Sequence, residues 1–380
     1  MGILQVQAWG YFISPPFGQN SAMPHAAPSQ EILDAVEVLK SGNLVAMPTE
    51  TVYGLGADAA NEDAVAKIFA AKGRPASHPL IVHVAKGAKL ETWAVGIPRM
   101  ARKLTDAFWP GPLTLILKKS RRIPNAVTGG QTTVGLRCPA HPLAQQLLVE
   151  FAKGGSGIIA APSANKFGHI SPTTAEHVRT EFGDGLMILD GGACDVGIES
   201  TIIDLSRMQS LKHPVILRPG AITPEMIARV IGEMPLRAED VPSANPTSST
   251  IESPRVSGSL AAHYAPLTPL RLLRRKMLQE KTDQYLADGK HVAVLAFAAP
   301  PGIVPLPLGV GLKKVRPLVW ITAERDSASY ARDLYAHLRT LDAAQTAIIL
   351  VEAPPMTAAW EAINDRLGRA AMGSGRKPPD

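Results

Sequence analysis

Apolar residues recur in this chain in two patterns that alternate along most of its length. Short continuous apolar runs predict buried strands, whereas apolar residues spaced three or four apart predict amphipathic helices. The runs predict strands at 44–47, 80–84, 113–117, 133–136, 157–161, 186–189, 201–205 and 215–217. Helices are predicted at 31–40, 61–72, 99–108, 141–152 and 173–182. This alternation predicts an α/β domain over residues 29–235, built on one mixed sheet.

The alternation stops between residues 236 and 268, where PSANPTSST is typical of a polar linker. It returns after Pro269, with strands predicted at 270–273, 292–297 and 347–351 and helices around 326–340 and 357–371. We therefore expect a smaller α/β domain over 269–370 and a loose tail over 371–380. Residues 1–28 show no periodicity and are expected to form a poorly ordered extension, in which Met23 is an alternative start.

Composition narrows the classes of function. With 46% hydrophobic and 19% charged residues the chain can bury large cores, which excludes wholesale disorder. The net charge of +6 suits an anionic partner, but a surplus this small over 380 residues is weak evidence for nucleic acid. Two cysteines, Cys138 and Cys194, imply no disulfide framework and indicate a reducing compartment such as the cytoplasm. No apolar run is long enough to predict a membrane span.

Several well-known site motifs are absent from the sequence. There is no G-x-x-x-x-G-K-[ST] loop for ATP phosphates, and Gly54-Leu55-Gly56 lacks the third glycine of a dinucleotide fingerprint. There is also no H-E-x-x-H, no C-x-x-C and no histidine pair at helical spacing, so no dedicated metal site is predicted. Any divalent cation is expected to arrive with phosphates.

Instead, polar residues stand next to predicted strand and helix ends. Gly73 is expected to end the helix 61–72, which places Lys72 and Arg74 at a rigid end, and Ser163 and Asn165 follow the strand 157–161. Two cations from one loop and two small polar groups from another suit a phosphorylated or carboxylated ligand.

Further polar residues occur on or directly after predicted strands. Thr49, Glu50 and Thr51 follow a buried strand, as in a ligand-lining loop. Thr133 and Arg137 lie four apart on one strand and therefore face the same side, and a buried arginine needs an anion. Taken singly, four others fit a structural role at least as well: His83, Ser171, Ser200 and Arg218.

The order of these motifs resembles a known family. PTETVYGLG, KIFAAKGRP, PLIVHV, FWPGPLTLIL, TVGLRCPAHP, IIAAPSANKFGHISPT, GIESTIIDL and ILRPG follow one another between residues 48 and 220. They resemble the YrdC-type domain of the threonylcarbamoyl-AMP synthases, which supply the activated group for threonylcarbamoyl modification of tRNA. HYAP at 263–266 and the trailing domain resemble the two-domain form. The resemblance implies a twisted mixed sheet with a concave basic site, followed by a Rossmann-like domain.

The resemblance also implies roles for individual residues. In that family a Lys-x-Arg and a Ser-x-Asn pair line the site, which implies catalytic roles for Lys72, Arg74, Ser163 and Asn165. Nucleotide contacts are implied for Arg74, His78, Thr133, Ser163, Ser171 and Arg218, with His263 and Tyr264 closing over the nucleotide. Threonine contacts are implied for Thr51, His83, Arg137, Ser200 and the backbone of Ala161.

Two positions depart from the family pattern. His78 stands where many members have asparagine, and Ser257 to Ala262 replace a segment that contains Met and Lys before HYAP. Lid contacts from that segment are therefore not carried over.

The implied reaction is that of a nucleotidyltransferase. L-Threonine, bicarbonate or CO₂, and ATP accompanied by Mg²⁺ give threonylcarbamoyl-AMP and pyrophosphate. A downstream threonylcarbamoyl-transferase complex that acts on tRNA would receive the product.

Two other functions compete with this interpretation. A non-enzymatic RNA-binding protein could use the same basic concavity, with weak, salt-dependent RNA binding, although 5% aromatic residues argue against a base-stacking platform. Carbamoyl-AMP formation in hydrogenase maturation would keep the adenylation chemistry. This chain lacks the zinc-finger cysteines and the acylphosphatase-like segment expected of those larger proteins.

Overall fold

The structure, a computed structural model, describes residues 28–241, 253–299 and 317–375. The expected extension, apart from residue 28, and all of PSANPTSST (residues 242–250) lie outside the described residues. The first domain contains the helices α1 (Gln30–Lys40), α2 (Glu62–Lys72), α3 (Arg99–Phe108), α4 (Asn125–Thr128), α5 (Pro142–Gly154), α6 (Ala175–Phe182), α7 (Met208–Leu211) and α8 (Pro224–Ile231). Its strands are β1 (Val45–Met47), β2 (Gly54–Asp58), β3 (Ile81–Val84), β4 (Ala94–Val95), β5 (Leu113–Lys119), β6 (Thr133–Arg137), β7 (Ile158–Ala160), β8 (Met187–Ile188), β9 (Thr201–Asp204), β10 (Val215–Arg218) and β11 (Leu236–Arg237).

These strands form one sheet in the order β11-β10-β9-β5-β6-β3-β7-β2-β1-β8, with β4 paired to β5. Parallel pairs such as β3 with β6 and β5 with β9 alternate with antiparallel pairs such as β5 with β6 and β3 with β7, so the sheet is mixed as expected. In this order β3, β6 and β7 lie at the centre. Their register places His83 beside both Arg137 and Ile159. The polar side chains of His83 and Arg137 therefore lie side by side at the centre of the sheet.

The second domain is a four-stranded parallel sheet with helices on both faces. Its elements are β12 (Leu270–Leu273), α9 (Arg275–Ala287), β13 (Val292–Ala296), β14 (Leu318–Thr322), α10 (Ser327–Ala343), β15 (Ile348–Glu352) and α11 (Glu361–Gly373). The strand order is β12-β15-β13-β14, and all pairs are parallel. One apolar cluster packs Leu278 of α9 on Val292 and Val294, while another packs Leu334 of α10 on Leu295. Residues of alternate parity on each strand thus face opposite layers.

The end of α2 is built as the sequence predicts. Asn61 caps its N-terminus by accepting hydrogen bonds from the backbone N–H groups of Asp63 and Ala64. Gly73 ends it in the left-handed conformation, at φ +64°. The chain therefore leaves the helix in a defined direction directly after Lys72.

Some sequence-based boundaries are wrong. Gly54 to Asp58 form an internal strand that was not predicted, and a Cβ at Gly56 would lie only 2.9 Å from Ile159. The strand Leu318–Thr322 and the helix Arg275–Ala287 were not predicted. The tail expected over 371–380 is helical as far as Gly373. Leu236 and Arg237, placed in the linker, pair with β10 in the first sheet.

The two domains are in direct contact. One apolar cluster contains Ile170 and Ile198 from the first domain together with Leu334 and Leu338 from the second. Gly197 allows α10 to approach, since a Cβ there would overlap the backbone of Arg332 and φ is +74°. Ion pairs between the domains join Glu199 to Arg366, Glu181 to Arg339 and Arg237 to Glu361. The connecting segment (residues 253–269) lies in this contact, with His263 and Tyr264 buried.

Among the described helices, none combines the length and apolar character needed to cross a membrane.

Candidate functional site

A small cavity of about 40 Å³, here called the central cavity, lies where the central strands end against the connecting segment. Two larger surface grooves, of about 600 and 940 Å³, contain none of the predicted site residues. The central cavity is distinguished by converging polar side chains rather than by size. Its lining residues are Thr49, Val52, Gly54, Ile81, His83, Arg137, Ala161, Pro162, Ser163, Glu199, Ser200, Arg218, Ser257, His263 and Tyr264.

One side of the central cavity is formed by Arg137 at the end of β6. Arg137 is buried, and its Nη2 lies 2.8 Å from Oε1 of Glu50. The two charges are paired, but their orientation does not make a hydrogen bond, and Nε and Nη2 of Arg137 have no hydrogen-bond acceptor among the described residues. Oε2 of Glu50 accepts a hydrogen bond from the Ala140 N–H at 2.9 Å. Arg137 thus retains buried donors that a carboxylate ligand would satisfy.

His83 stands next to Arg137 in the sheet and is neutral. Burial and the adjacent Arg137 charge lower its pKa to about 3. Its Nδ1 has no hydrogen-bond partner among the described residues. A neutral imidazole in this place can donate or accept one hydrogen bond without adding charge.

The opposite side is formed by Ser200 and Arg218. Nε and Nη2 of Arg218 donate to the Ser200 carbonyl at 3.1 and 2.8 Å, and Nη2 also reaches the Ser200 hydroxyl at 3.1 Å. Nη1 donates to the carbonyl of Ser257 in the connecting segment at 3.0 Å. Ser200 also shares a 2.7 Å hydrogen bond with Thr114 of β5. Arg218 therefore joins the cavity wall to the segment that covers it.

The loop after β7 is held by Lys72 and by Asn165. Nζ of Lys72 donates to the carbonyls of Ser163, at 2.5 Å, and of Asn165. The amide of Asn165 donates to the carbonyls of Lys166 and His169. Burial and the nearby Arg74 charge lower the pKa of Lys72. Both side chains bond to the loop backbone and lie outside the lining of the central cavity.

Arg74, His78 and Phe167 form a second group beside the cavity. Nη2 of Arg74 donates to the Pro79 carbonyl at 3.0 Å, its Nε has no partner in the part of the chain that the structure describes, and its guanidinium lies 5.9 Å from the Phe167 ring. His78 meets the same ring edge-on at 5.5 Å, and His263 meets it at 6.3 Å. Burial lowers the pKa of Arg74 to about 10, so it stays cationic at neutral pH.

His263 and Tyr264 cover the cavity from the connecting segment. Tyr264 has φ +60°, a conformation that costs a non-glycine residue roughly 1–3 kcal/mol and so needs strong local support. Its ring stacks on Tyr335 at 5.7 Å and faces the Arg366 guanidinium at 5.2 Å, and its hydroxyl has no hydrogen-bond partner among the described residues. Burial lowers the pKa of His263 to about 3.

The structure brings together only part of the predicted set. Thr133 lies in an adjoining cavity that shares Ile81 and Ser257 with the central one. Thr51 is buried, bonded to the Thr49 hydroxyl at 2.9 Å, and Ser171 donates to Glu199 at 2.6 Å. The predicted residues that line the central cavity are His83, Arg137, Ala161, Ser163, Ser200, Arg218, His263 and Tyr264. Those outside its lining are Thr51, Lys72, Arg74, His78, Thr133, Asn165 and Ser171.

The carboxylates near the cavity are already engaged by arginines. Glu50 faces Arg137, and Glu199 faces Arg366. Within residues 28–241, 253–299 and 317–375, no group of three or more His, Cys, Asp or Glu side chains could hold a metal ion. Cys138 is buried, which raises the pKa of its thiol to about 12 and argues against a nucleophilic role.

Sequence reasoning did not select several residues of the site. Glu199 lies within a quoted motif, and its carboxylate next to an apolar strand was an available signal. Phe167 also lies in a quoted motif. Tyr335 and Arg366 lie on two different helices of the second domain, and each stands at an ordinary helical position in the sequence. Nothing in the sequence indicates that they reach the first domain.

Comparison with known proteins identifies the family. Residues 37–220 match the Sua5/YciO/YrdC domain family, described as telomere recombination, and residues 222–372 match the family described as threonylcarbamoyl-AMP synthase, C-terminal domain. Threonylcarbamoyl-AMP synthase of Pyrococcus abyssi is 38% identical over 344 residues, which is 89% of this chain and 93% of the relative. That of Bacillus subtilis is 39% identical over 349 residues, 90% of this chain and 93% of the relative. The chain belongs to the threonylcarbamoyl-AMP synthase family.

The fold agrees with this family over both domains. A crystal structure of P. abyssi Sua5 complexed with L-threonine superposes with a TM-score of 0.76 at 36% sequence identity, and the match covers 91% of this chain and 96% of that one. The two-domain form expected from HYAP and the trailing domain is therefore confirmed. Within this family fold, the central cavity is the place where the quoted motifs converge.

Proposed function

We propose that this protein is an L-threonylcarbamoyladenylate synthase, which makes threonylcarbamoyl-AMP and pyrophosphate from L-threonine, bicarbonate or CO₂, and ATP. The observation that carries the proposal is the convergence of Arg137, Ser200 and Arg218 on one cavity in a chain of this family. The carbamate formed from threonine and the phosphates of ATP are both anionic. Charge neutralisation and positioning are therefore the main tasks of such a site.

Threonine is assigned to the side formed by Arg137 and His83. The planar guanidinium can grip the threonine carboxylate with two parallel hydrogen bonds, while Glu50 keeps the arginine compensated when threonine is absent. His83, Ser200, Thr51 and the Ala161 backbone complete this assignment. Thr51 acts through Thr49, since their hydroxyls are 2.9 Å apart and only Thr49 lines the cavity.

The nucleotide is assigned to the side formed by Arg74 and Arg218. The threonine amine takes up CO₂, a carbamate oxygen attacks the α-phosphorus, and pyrophosphate leaves. Arg74 and Arg218 offset the phosphate charge, and Mg²⁺ travels with ATP. Lys72 and Asn165 act by holding the Ser163 loop, because their polar groups bond to its backbone. His78, Thr133, Ser163 and Ser171 belong to the same side.

Closure by the connecting segment protects the product. A cavity of about 40 Å³ is far below the roughly 300–1,000 Å³ of ordinary ligand pockets. A nucleotide therefore enters only when residues 257–264 move, and their return excludes water from a labile mixed anhydride. The product then passes to a downstream threonylcarbamoyl-transferase complex that modifies tRNA in the cytoplasm.

One assay tests the function. The full chain is incubated with ATP, Mg²⁺, bicarbonate and one amino acid at a time, and pyrophosphate release is measured. We expect release that depends on threonine, with serine as the closest control because it lacks only the methyl group. Release that is independent of any amino acid would overturn the proposal. RNA binding that needs no ATP and weakens steeply with salt, without pyrophosphate release, would favour the RNA-binding alternative.

A further inference from the structure

Glu199 is a buried carboxylate at the contact between the two domains. Its Oε1 accepts a 2.6 Å hydrogen bond from the Ser171 hydroxyl of the first domain. Its Oε2 accepts hydrogen bonds from Tyr335 Oη and Arg366 Nε, both at 2.8 Å and both from the second domain. Ser200, the next residue, lines the central cavity. One carboxylate beside the cavity thus binds groups from both domains.

Arg366 makes further contacts with the cavity wall. It is fully buried, and its Nη2 donates to the carbonyl of Pro219 at 2.9 Å, directly after Arg218. Its guanidinium lies 5.2 Å from the Tyr264 ring, and Nη1 donates to Asp365 at 2.5 Å. Arg366 therefore touches the carboxylate, the strand end and the covering segment at once.

Tyr335 supports the same tyrosine from the other helix. Its ring stacks on Tyr264 with centroids 5.7 Å apart and an interplanar angle of 27°. Tyr264 thus lies against two side chains of the second domain while holding a left-handed backbone conformation. Contacts of this kind can maintain a strained backbone only while the domains stay docked.

A buried carboxylate must be compensated by a cation. Burial alone would raise the pKa of Glu199, but Arg366, Arg218 and the Ser171 hydroxyl lower it to about 2. Both arginines act on this charge, yet only Arg366 bonds to it, and Arg218 bonds to Ser200 and Ser257 instead. Removing Arg366 would leave Arg218 as the main cation available to Glu199.

We propose that Arg366 and Tyr335 are positioning residues of the active site, supplied by the second domain. By engaging Glu199 they leave Arg218 directed at the cavity wall, and by packing on Tyr264 they hold the cover closed. The inference rests on the proposed function for its kinetic readout, and it assigns to the second domain a direct part in shaping the nucleotide side.

The test compares full-length variants by steady-state kinetics and by calorimetric titration with a non-hydrolysable ATP analogue. Arg366→Met should raise the KM for ATP and weaken analogue binding by about tenfold or more, while the KM for threonine changes less, a tenfold change being about 1.4 kcal/mol. Tyr335→Phe removes one bond to Glu199 but keeps the stack on Tyr264, so a smaller effect in the same direction is expected.

A double variant separates positioning from simple packing. Arg366→Met combined with Glu199→Gln removes the buried charge that would attract Arg218, so analogue binding should recover part of the loss. The matched control is Glu361→Gln, which lies on the same helix and loses an interdomain ion pair to Arg237 away from the cavity. That control should keep wild-type kinetics. Circular dichroism verifies that each variant folds. If Arg366→Met does not fold, analogue binding by Tyr335→Phe and by the double variant tests the positioning role instead.

Unchanged analogue binding in both single variants would overturn the inference, and so would a double variant that binds more weakly than Arg366→Met. Equal losses in Arg366→Met and Glu361→Gln would also overturn it, because docking in general would then be the cause. Absence of threonine-dependent pyrophosphate release in the wild type would contradict the proposed function instead. The analogue titration needs no turnover and still decides the positioning role in that case.

Discussion

Individual residues of this site differ in what their polar atoms do. Lys72 uses its Nζ on the loop backbone, whereas Arg137 and Arg74 retain buried donors that have no acceptor among the described residues. Such a donor costs roughly 1–3 kcal/mol if nothing satisfies it, which makes it a marker of ligand contact. The two arginines are therefore the residues at which substitution should affect function more than folding.

Replacing Arg137 with lysine tests the assigned threonine clamp. Lys keeps the charge opposite Glu50 but loses the planar fork, so the KM for threonine should rise by about tenfold to a hundredfold, as expected for losing a charge-assisted bond worth roughly 1.5–3 kcal/mol. Kinetics with varied threonine measure this, and the KM for ATP should change little. Arg122→Lys, at an exposed turn, is the control. An unchanged KM for threonine would place the carboxylate elsewhere.

Replacing Arg74 with alanine tests the phosphate-facing side. Within the described residues the side chain donates one hydrogen bond, from Nη2 to the Pro79 carbonyl, so the fold should persist. Pyrophosphate release should fall by about 10²-fold or more, the usual loss for one donor to developing charge. Lys72→Met is the comparison, and it should lower thermal stability as well, because the Ser163 loop loses its anchor. Near-normal turnover by Arg74→Ala would contradict the assignment.

At the scale of elements, two glycines are needed where the backbone lies close to neighbouring atoms. Gly54-Leu55-Gly56 belongs to an internal strand, in which Gly56 lies against Ile159 and the Val45 carbonyl. Gly258 in the connecting segment has a similar role at φ +81°, where a Cβ would overlap the Tyr264 hydroxyl. The covering segment thus depends on a glycine that is not part of HYAP.

Gly258→Ala should displace Tyr264 and weaken nucleotide binding. The left-handed backbone alone costs an alanine roughly 1–2 kcal/mol, so the control must be a glycine-to-alanine variant with the same backbone cost. Gly289→Ala provides the match, since it has φ +69° and nothing within 4 Å of the added Cβ. We expect Gly258→Ala to lose at least as much stability as Gly289→Ala in thermal unfolding, because its Cβ also meets the Tyr264 hydroxyl, and only Gly258→Ala to bind the ATP analogue more weakly in calorimetry. Equal binding by the two variants would contradict a role for this segment as the cover.

At the scale of the whole molecule, the two domains share an apolar cluster and buried ion pairs. Ile170, Ile198 and Leu334 pack together, while Glu199 and Glu181 pair with Arg366 and Arg339. Burial would raise the pKa of Glu181, but hydrogen bonds from His169 and Lys166 and the Arg339 charge lower it to about 2. Docking should therefore depend on ionised carboxylates.

Acid should accordingly weaken the docked state. The pKa of Glu199 is about 2 in the folded protein and near 4.5 when unfolded, so its stabilising contribution is complete above pH 4.5 and is lost as the pH falls towards 2. The contribution is on the order of 3 kcal/mol, since one pKa unit is about 1.4 kcal/mol. Denaturant unfolding at several pH values measures it.

Glu199→Gln isolates this contribution from the other buried groups. His83 also lowers stability below pH 6.5, because it is protonated in the unfolded chain and neutral in the folded one, and it does so equally in both proteins. The Glu199 charge raises the pKa of His263, so the difference between the two proteins includes this coupling to His263. The variant should be less stable than the wild type at pH 7 and should approach it towards pH 2. Glu280→Gln, an exposed carboxylate of α9, should leave the profile unchanged. A constant difference between the two proteins at all pH values would show that Glu199 does not titrate as expected.

The sequence by itself determined the α/β class, most strands and helices of both domains and the order of the family motifs. These follow from short-range periodicity and from caps such as Asn61 and Gly73, which depend on neighbouring residues. It also indicated that Arg137 needs an anion. Only the tertiary structure decided which polar residues share the cavity and which hold its walls, as Lys72 does. It alone joined Glu199 to Tyr335 and Arg366, which lie 136 and 167 positions away, because packing between domains leaves no periodic trace in sequence.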